Sequence, residues 1–197
     1  RAAGFRRVVH MGMGGSSLAP LVFERTFPPD PGAPRLAVLD TTDPATVLRI
    51  EREAPLEDSL FIVASKSGTT AEPNAFGEYF FARLEERKGK RAGENFVAIT
   101  DPGTPLEKLA RERGFRKAFL NFADIGGRYS ALSYFGLVPI ALTGVNVEEL
   151  LARALRMARA CARSRSTSSA GLMGFDPLRA NDSSPGGTST YIRITRC

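Results

Sequence analysis

The chain has little that would place it in a membrane, outside the cell or around a metal ion. The chain has 197 residues, and none of its apolar runs approaches the roughly 18 residues of a membrane span. No segment resembles a signal peptide. Its two cysteines, Cys161 and Cys197, lack the spacing of metal ligands. These absences predict a protein of the reducing cytoplasm with no membrane partner and no metal site.

The positive charge of the chain is confined to one end. The net charge is +6, but residues 1–150 contain 19 Lys+Arg and 19 Asp+Glu, whereas residues 151–197 contain 8 Arg and 2 Asp. The main body therefore carries no net charge. Because nucleic-acid binding depends on basic residues within the folded domain, we expect no nucleic-acid partner.

Short apolar runs alternate with amphipathic stretches over the first three quarters of the chain. This alternation predicts an α/β fold, a three-layer αβα sandwich around a five-stranded parallel sheet. The predicted strands are residues 7–11, 36–40, 60–65, 96–100 and 117–122. The predicted helices are residues 17–26, 44–53, 70–87, 105–113, 129–142 (buried and bent by Pro139) and 146–162.

The composition predicts three regions. Residues 1–145 form the domain, residues 146–162 an amphipathic helix begun by Asn146, and residues 163–197 an irregular or disordered tail rich in Ser, Arg, Gly and Thr. The tail also fits an out-of-frame reading. Because the chain begins at Arg1 rather than Met and enters a strand by Val8, we expect it to be a piece of a longer protein.

The strongest functional signal is the segment SKSGTT at residues 65–70, which joins a buried strand to a helix. Its hydroxyls, its lysine and the N–H groups of the helix N-terminus suit a phosphate group, since the helix dipole adds about half a positive charge there. The alternative is that Thr69 or Thr70 merely caps the helix. Four hydroxyls and a lysine exceed what a cap requires, so we favour a phosphate site.

A glycine-rich turn, residues 12–17, follows the first strand. Its glycines allow a ligand to approach the backbone, and Ser16 and Ser17 can cap a helix or donate to an anion. The turn also resembles a dinucleotide-binding fingerprint, with Asp40 placed where a ribose-binding acid would lie. Serine in place of a third glycine at position 17 weakens that alternative.

A third segment, residues 124–130, lies between the fifth strand and a helix. Two glycines followed by Arg128 bring N–H groups and a guanidinium to one rim, an arrangement suited to an oxyanion. The alternative is an ordinary turn in which Arg128 pairs with Asp124. Because all three segments follow parallel strands, we expect them to converge on one crevice.

Residues 12–20, 65–72 and 126–130 together resemble the three motifs of the phosphoglucose isomerase family, in order and in approximate spacing. The resemblance extends over about residues 5–145 and implies a flavodoxin-like sugar isomerase (SIS) fold. Ser-Gly at residues 67–68, where many members have Thr-Phe, is similar to the bacterial branch, which includes forms fused to a transaldolase.

The resemblance assigns roles residue by residue. The residues that it assigns to the sugar 6-phosphate are Ser65, Lys66, Ser67 and Thr70. Those that it assigns to the sugar are Gly15, Ser16 and Gly127. Arg128 matches the arginine beside the reacting carbons. Glu72 matches an acid near the phosphate loop, and it serves equally well as an acid in the first turn of a helix.

The implied reaction interconverts glucose 6-phosphate and fructose 6-phosphate by moving a proton between C2 and C1 through an enediolate. It requires a carboxylate base and a positive charge facing the oxyanion, which Arg128 would supply. The expected glutamate base, ring-opening histidine and C-terminal lysine have no recognisable match. His10, the only histidine, lies in the first strand and fits a packed core residue. We therefore expect a fragment without its own base.

The resemblance further implies no cofactor, and a homodimer for the full-length protein. Two alternatives stay open. One is a non-catalytic SIS module that only binds sugar phosphate. The other is a nucleotide-binding oxidoreductase, which depends on the glycine turn and Asp40 alone.

Overall fold

A computed structural model describes residues 4–28 and 30–167. Its five strands form one parallel sheet in the order β2-β1-β3-β4-β5. They are β1 (Arg7–Met11), β2 (Arg35–Leu39), β3 (Ser59–Ala64), β4 (Phe96–Thr100) and β5 (Lys117–Leu120). This order is that of flavodoxin-like folds, so the predicted fold class is confirmed.

The helices are α1 (Leu18–Thr26), α2 (Pro44–Glu53), α3 (Ala71–Lys88), α4 (Pro105–Glu112), α5 (Tyr134–Leu142) and α6 (Val147–Thr167). Short 3-10 helices cover Gly14–Ser16, Leu56–Asp58, Gly89–Asn95 and Gly127–Leu132. Among the described residues, no helix is both long and apolar enough to cross a membrane.

The predicted helix over residues 129–142 is wrong in its first turn. A 3-10 helix, Gly127–Leu132, is followed by Ser133 in an extended conformation, and only then does α5 begin. The Ser133 hydroxyl accepts a hydrogen bond from the N–H of Phe135 at 3.3 Å and so caps α5. Apolar composition alone could not place that boundary, whereas Pro139 lies inside the helix as expected.

Helices cover both faces of the sheet. Successive residues of a strand point to opposite faces, so each strand contributes to two cores. Val9 and Met11 of β1 belong to a larger core under α2, α3 and α4, in which the Phe61 ring stacks on Phe80 at 4.8 Å between centroids. Val8 belongs to a smaller core under α5, and α1 packs beside α5. The result is the predicted three-layer sandwich.

The described residues divide into two units, one ending at Val145 and the other beginning at Asn146. In the second unit the Asn146 side chain accepts a hydrogen bond from the N–H of Glu149 at 3.0 Å, which begins α6 as predicted. The helix continues to Thr167, five residues beyond the predicted end at Ala162, so residues 163–167 are helical rather than irregular. The rest of the predicted tail lies outside the described residues.

Candidate functional site

The three predicted segments lie at the carboxyl edge of the sheet. We call residues 12–17 the glycine loop, residues 65–70 the hydroxyl loop and residues 124–130 the arginine turn. The first two follow β1 and β3, which are hydrogen-bonded neighbours. The chain leaves β1 toward β2 on one side and returns to β3 on the other, so these loops flank the switch point where open α/β sheets bind ligands.

The hydroxyl loop is folded around the buried side chain of Ser65. The Ser65 hydroxyl lies 2.9 Å from the Thr70 hydroxyl and accepts a hydrogen bond from the N–H of Gly68 at 3.1 Å. Gly68 adopts a φ of +68°, and a Cβ there would lie 2.9 Å from the backbone nitrogen of Leu106. The loop therefore requires glycine at this position and packs closely on the start of α4.

The remaining hydroxyls of the loop face solvent and bond to one another. Ser67 and Thr69 are exposed, and their hydroxyl oxygens lie 2.8 Å apart. Thr70 immediately precedes α3, yet its side chain makes no capping hydrogen bond to that helix. Thr70 thus occupies the N-cap position and Thr69 bonds to Ser67, so side-chain capping of α3 does not account for either hydroxyl. The loop places hydroxyl donors at the N-terminus of an 18-residue helix, an arrangement that favours anions.

Lys66 ties the hydroxyl loop to two other strand ends. Its ammonium donates to the carboxylate of Asp101, which follows β4, and to the carbonyl oxygen of Ala123 at 2.8 Å. The positive charge predicted for the phosphate is thus paired with Asp101. Sequence reasoning missed Asp101, although its position directly after the strand next to β3 was a usable signal.

The glycine loop and the arginine turn meet through two glycines. A Cβ on Gly15 would lie 2.4 Å from the carbonyl carbon of Gly127, so only glycine allows this approach of the two backbones. The Ser130 hydroxyl lies 2.9 Å from the carbonyl oxygen of Gly15 and 2.7 Å from that of Gly127. This joint brings two of the predicted segments to one place.

A cleft of about 240 Å³ opens beside this joint. Its lining comprises Gly15, Leu18, Ala19, Val22, Phe23, Gly127, Arg128, Ser130 and Ala131. Arg128 is exposed, and no ion pair to it is found among the described residues. The cleft therefore presents one guanidinium beside two backbone glycines and an apolar wall from α1.

His10 supports the glycine loop from beneath. Its ring is fully buried, which confirms the predicted core position, and Nε2 lies 2.7 Å from the carbonyl oxygen of Ser16. Burial lowers the pKa of His10 from 6.5 to about 4, against a smaller opposing effect of the Ser16 hydrogen bond. The imidazole is therefore neutral at pH 7, and Nε2 carries the proton because a carbonyl can only accept.

Two other candidate acids lie apart from the cleft lining. Glu72 is half-buried in the first turn of α3. Asp40, considered for a nucleotide ribose, follows β2 and is half-buried. Within the described part of the chain, no group of three His, Cys, Asp or Glu side chains could hold a metal ion.

Comparison with known proteins identifies the family. The family model for phosphoglucose isomerase matches residues 2–173. A glucose-6-phosphate isomerase from Carboxydothermus hydrogenoformans is 36% identical over 169 residues, covering 81% of this chain and 36% of the relative. The corresponding enzyme of Synechococcus sp. is 38% identical over 160 residues, covering 79% of this chain and 30% of the relative.

Solved structures with a similar fold lead to the same family. A hypothetical protein from Thermus thermophilus matches with a TM-score of 0.71 and 34% identity, covering 83% of this chain and 38% of that one. A glucose-6-phosphate isomerase from Chlamydia trachomatis matches with a TM-score of 0.62 and 35% identity, covering 71% and 26%. The chain thus spans about a third of the length of these relatives. With the three segments at one edge of the sheet, these matches show that the chain belongs to the phosphoglucose isomerase family.

Proposed function

We propose that this chain is the sugar-phosphate-binding part of a glucose-6-phosphate isomerase, which interconverts glucose 6-phosphate and fructose 6-phosphate. The observation that supports the proposal is that the hydroxyl loop, at the N-terminus of α3, and the cleft lined by Arg128 lie at the same carboxyl edge of the sheet. The names of the relatives in the family support the same substrate. We further propose a cytoplasmic protein that acts without a cofactor and as a homodimer in its full-length form.

The hydroxyl loop would hold the phosphate group. The Ser67 hydroxyl, bonded to that of Thr69, and the Thr70 hydroxyl, bonded to that of Ser65, can turn to the phosphate oxygens. The N-terminus of α3 adds its positive potential. Ser65, which is buried, holds Thr70 and the N–H of Gly68 in place. Lys66 belongs to the same loop and would contribute positive charge near the phosphate, although its ammonium is paired with Asp101.

The cleft would hold the reacting end of the sugar. Gly15 and Gly127 bring backbone to the cleft without side-chain bulk, so a polyol chain can approach closely. Ser16, next to Gly15 in the glycine loop, would add its hydroxyl to the sugar contacts. An enediolate carries negative charge on oxygen, and Arg128 is the charged side chain of the cleft lining. A positioned guanidinium stabilises such an oxyanion more in the transition state than in the ground state.

The isomerisation also needs a base, and the described cleft lining contains no carboxylate. Glu72 stands in the first turn of α3 and is not part of that lining. This favours a second candidate function for the isolated chain, that of a module that binds sugar phosphate without converting it. The two candidates share the binding step and differ only in turnover.

Calorimetric titration with fructose 6-phosphate tests the binding step. The double variant Ser67→Ala, Thr70→Val removes two hydroxyls, and losing hydrogen bonds to a charged ligand should weaken binding by about tenfold or more. Thr26→Val, at the far end of α1, is the matched control because its hydroxyl bonds only within that helix. Equal affinities for the wild type and the double variant, or equal affinities for fructose and its 6-phosphate, would remove the proposal.

A further inference from the structure

Lys66 is held through both its backbone and its side chain. Its partners are Thr100, the last residue of β4, and Asp101, which follows that strand. Its carbonyl oxygen accepts hydrogen bonds from the N–H of Asp101 at 3.1 Å and from the Thr100 hydroxyl at 3.3 Å. Its ammonium returns to the Asp101 carboxylate. The two strand ends are therefore linked three times around one residue of the hydroxyl loop.

The ion pair in this link is partly shielded from water. The Asp101 side chain is 15% exposed and the Lys66 side chain 35% exposed. The second carboxylate oxygen of Asp101, Oδ1, is buried without a hydrogen-bond partner among the described residues. A carboxylate in this position depends on its one cation, because removing either member of a buried pair leaves an uncompensated charge.

Lys66 also reaches the chain that leads from β5 to the arginine turn. Its ammonium donates to the carbonyl oxygen of Ala123, the residue before that turn. The Asp101–Lys66–Ala123 linkage thus joins the segments that follow β3, β4 and β5. Fixing Lys66 fixes Ser65 and Ser67 on either side of it.

We propose that Asp101 is a positioning residue for phosphate binding, which acts by holding Lys66 and thereby the hydroxyl loop in its binding conformation. This inference rests on the proposed function. In the opposite case Lys66 acts as a free cation for the phosphate, and Asp101 competes with the ligand for it. The two cases give opposite signs when the Asp101 charge is removed, because a competitor's loss tightens binding whereas a support's loss weakens it.

Titration of the Asp101→Asn variant with fructose 6-phosphate at 150 mM salt separates them. We expect binding weakened by about fivefold or more, the scale of coupling within one hydrogen-bonded network. Lys66→Met should weaken binding similarly, and Lys66→Arg, which keeps the cation and its donors, should restore most of the affinity. Asp58→Asn is the matched control. Asp58 directly precedes β3 at the amino edge of the sheet, and its half-buried carboxylate pairs with Arg6.

The double variant Lys66→Met, Asp101→Asn leaves no stranded charge and covers the case in which a single variant fails to fold. It should bind no more weakly than the weaker single variant, because both substitutions break the same link. Unchanged or tighter binding by Asp101→Asn, or single effects that multiply in the double variant, would overturn the inference.

Amide hydrogen exchange without ligand distinguishes failure of this inference from failure of the proposed function. Asp101→Asn should speed exchange at Gly68 and Thr69 while leaving α2 unchanged. If the wild type binds no sugar phosphate but the exchange changes as expected, the proposed function fails and the loop support stands. If the wild type binds and the exchange at the hydroxyl loop is unaltered, the positioning role is refuted.

Discussion

Acidification should destabilise this protein through His10. The folded pKa of about 4 lies below the ordinary value of 6.5, because burial disfavours the charged imidazole. Between these values the unfolded chain binds a proton that the folded chain does not, so stability is complete above pH 6.5 and is lost as pH falls toward 4. The full loss corresponds to about 3 kcal/mol, and the loss between pH 7 and pH 5 to about 2 kcal/mol.

Two measurements check this prediction. The chain contains one histidine, so NMR titration of imidazole resonances is free of overlap and should show a midpoint near 4 with the proton on Nε2 at neutral pH. Urea unfolding at pH 7 and pH 5 should give the loss in the free energy of unfolding. A loss of this size is a large part of the stability of a small domain, typically about 5–15 kcal/mol.

The variant His10→Gln is the matched control. Its side-chain amide can donate to the Ser16 carbonyl but does not titrate, so the additional loss at pH 5 should disappear. Carboxylates with lowered pKa values, such as Glu51 beside the Tyr79 hydroxyl, also make the protein less stable in acid. Their effect is the same in the wild type and the variant. A midpoint near 6.5, or an identical pH dependence in wild type and variant, would refute the reasoning.

Gly15→Ala places a methyl group 2.4 Å from Gly127 and should cost about 1–3 kcal/mol in urea unfolding together with lost sugar-phosphate binding; an unchanged midpoint would contradict the joint. Asn95→Ala removes donors to the carbonyl oxygens of Glu57 at 2.9 Å and Ser59 at 2.8 Å, and should lower stability by about 1–3 kcal/mol, measured by thermal unfolding. Arg128→Ala should weaken binding of a phosphorylated aldonate, whose carboxylate mimics the enediolate charge, by about tenfold, and that of fructose 6-phosphate far less; equal losses would assign Arg128 to ground-state binding. The purified chain should show little isomerisation in a coupled assay, because a positioned base contributes about 10²–10⁴-fold; turnover near 10 per second, roughly the enzyme median, would mean that a base is present.

The sequence alone was enough to predict the architecture and the three segments that form the candidate site. Alternating apolar runs are local patterns with a period of 2 or 3.6, so they place strands and helices without tertiary information. Strands β1 and β4 have the predicted bounds, and the others differ by one or two residues. Glycines and hydroxyls at strand ends are equally local, so the three segments were recognisable before their arrangement was known.

The tertiary structure decided which residues act on one another. Ser130 meets Gly15 across 115 positions and Lys66 meets Asp101 across 35, and no local pattern encodes such pairings. The lowered pKa of His10 depends on burial by the whole sheet. Sequence therefore specified the chemistry available at the carboxyl edge, whereas packing decided that the Lys66 charge is paired and that Arg128 faces the cleft, since desolvation and contact depend on distances that only the folded chain sets.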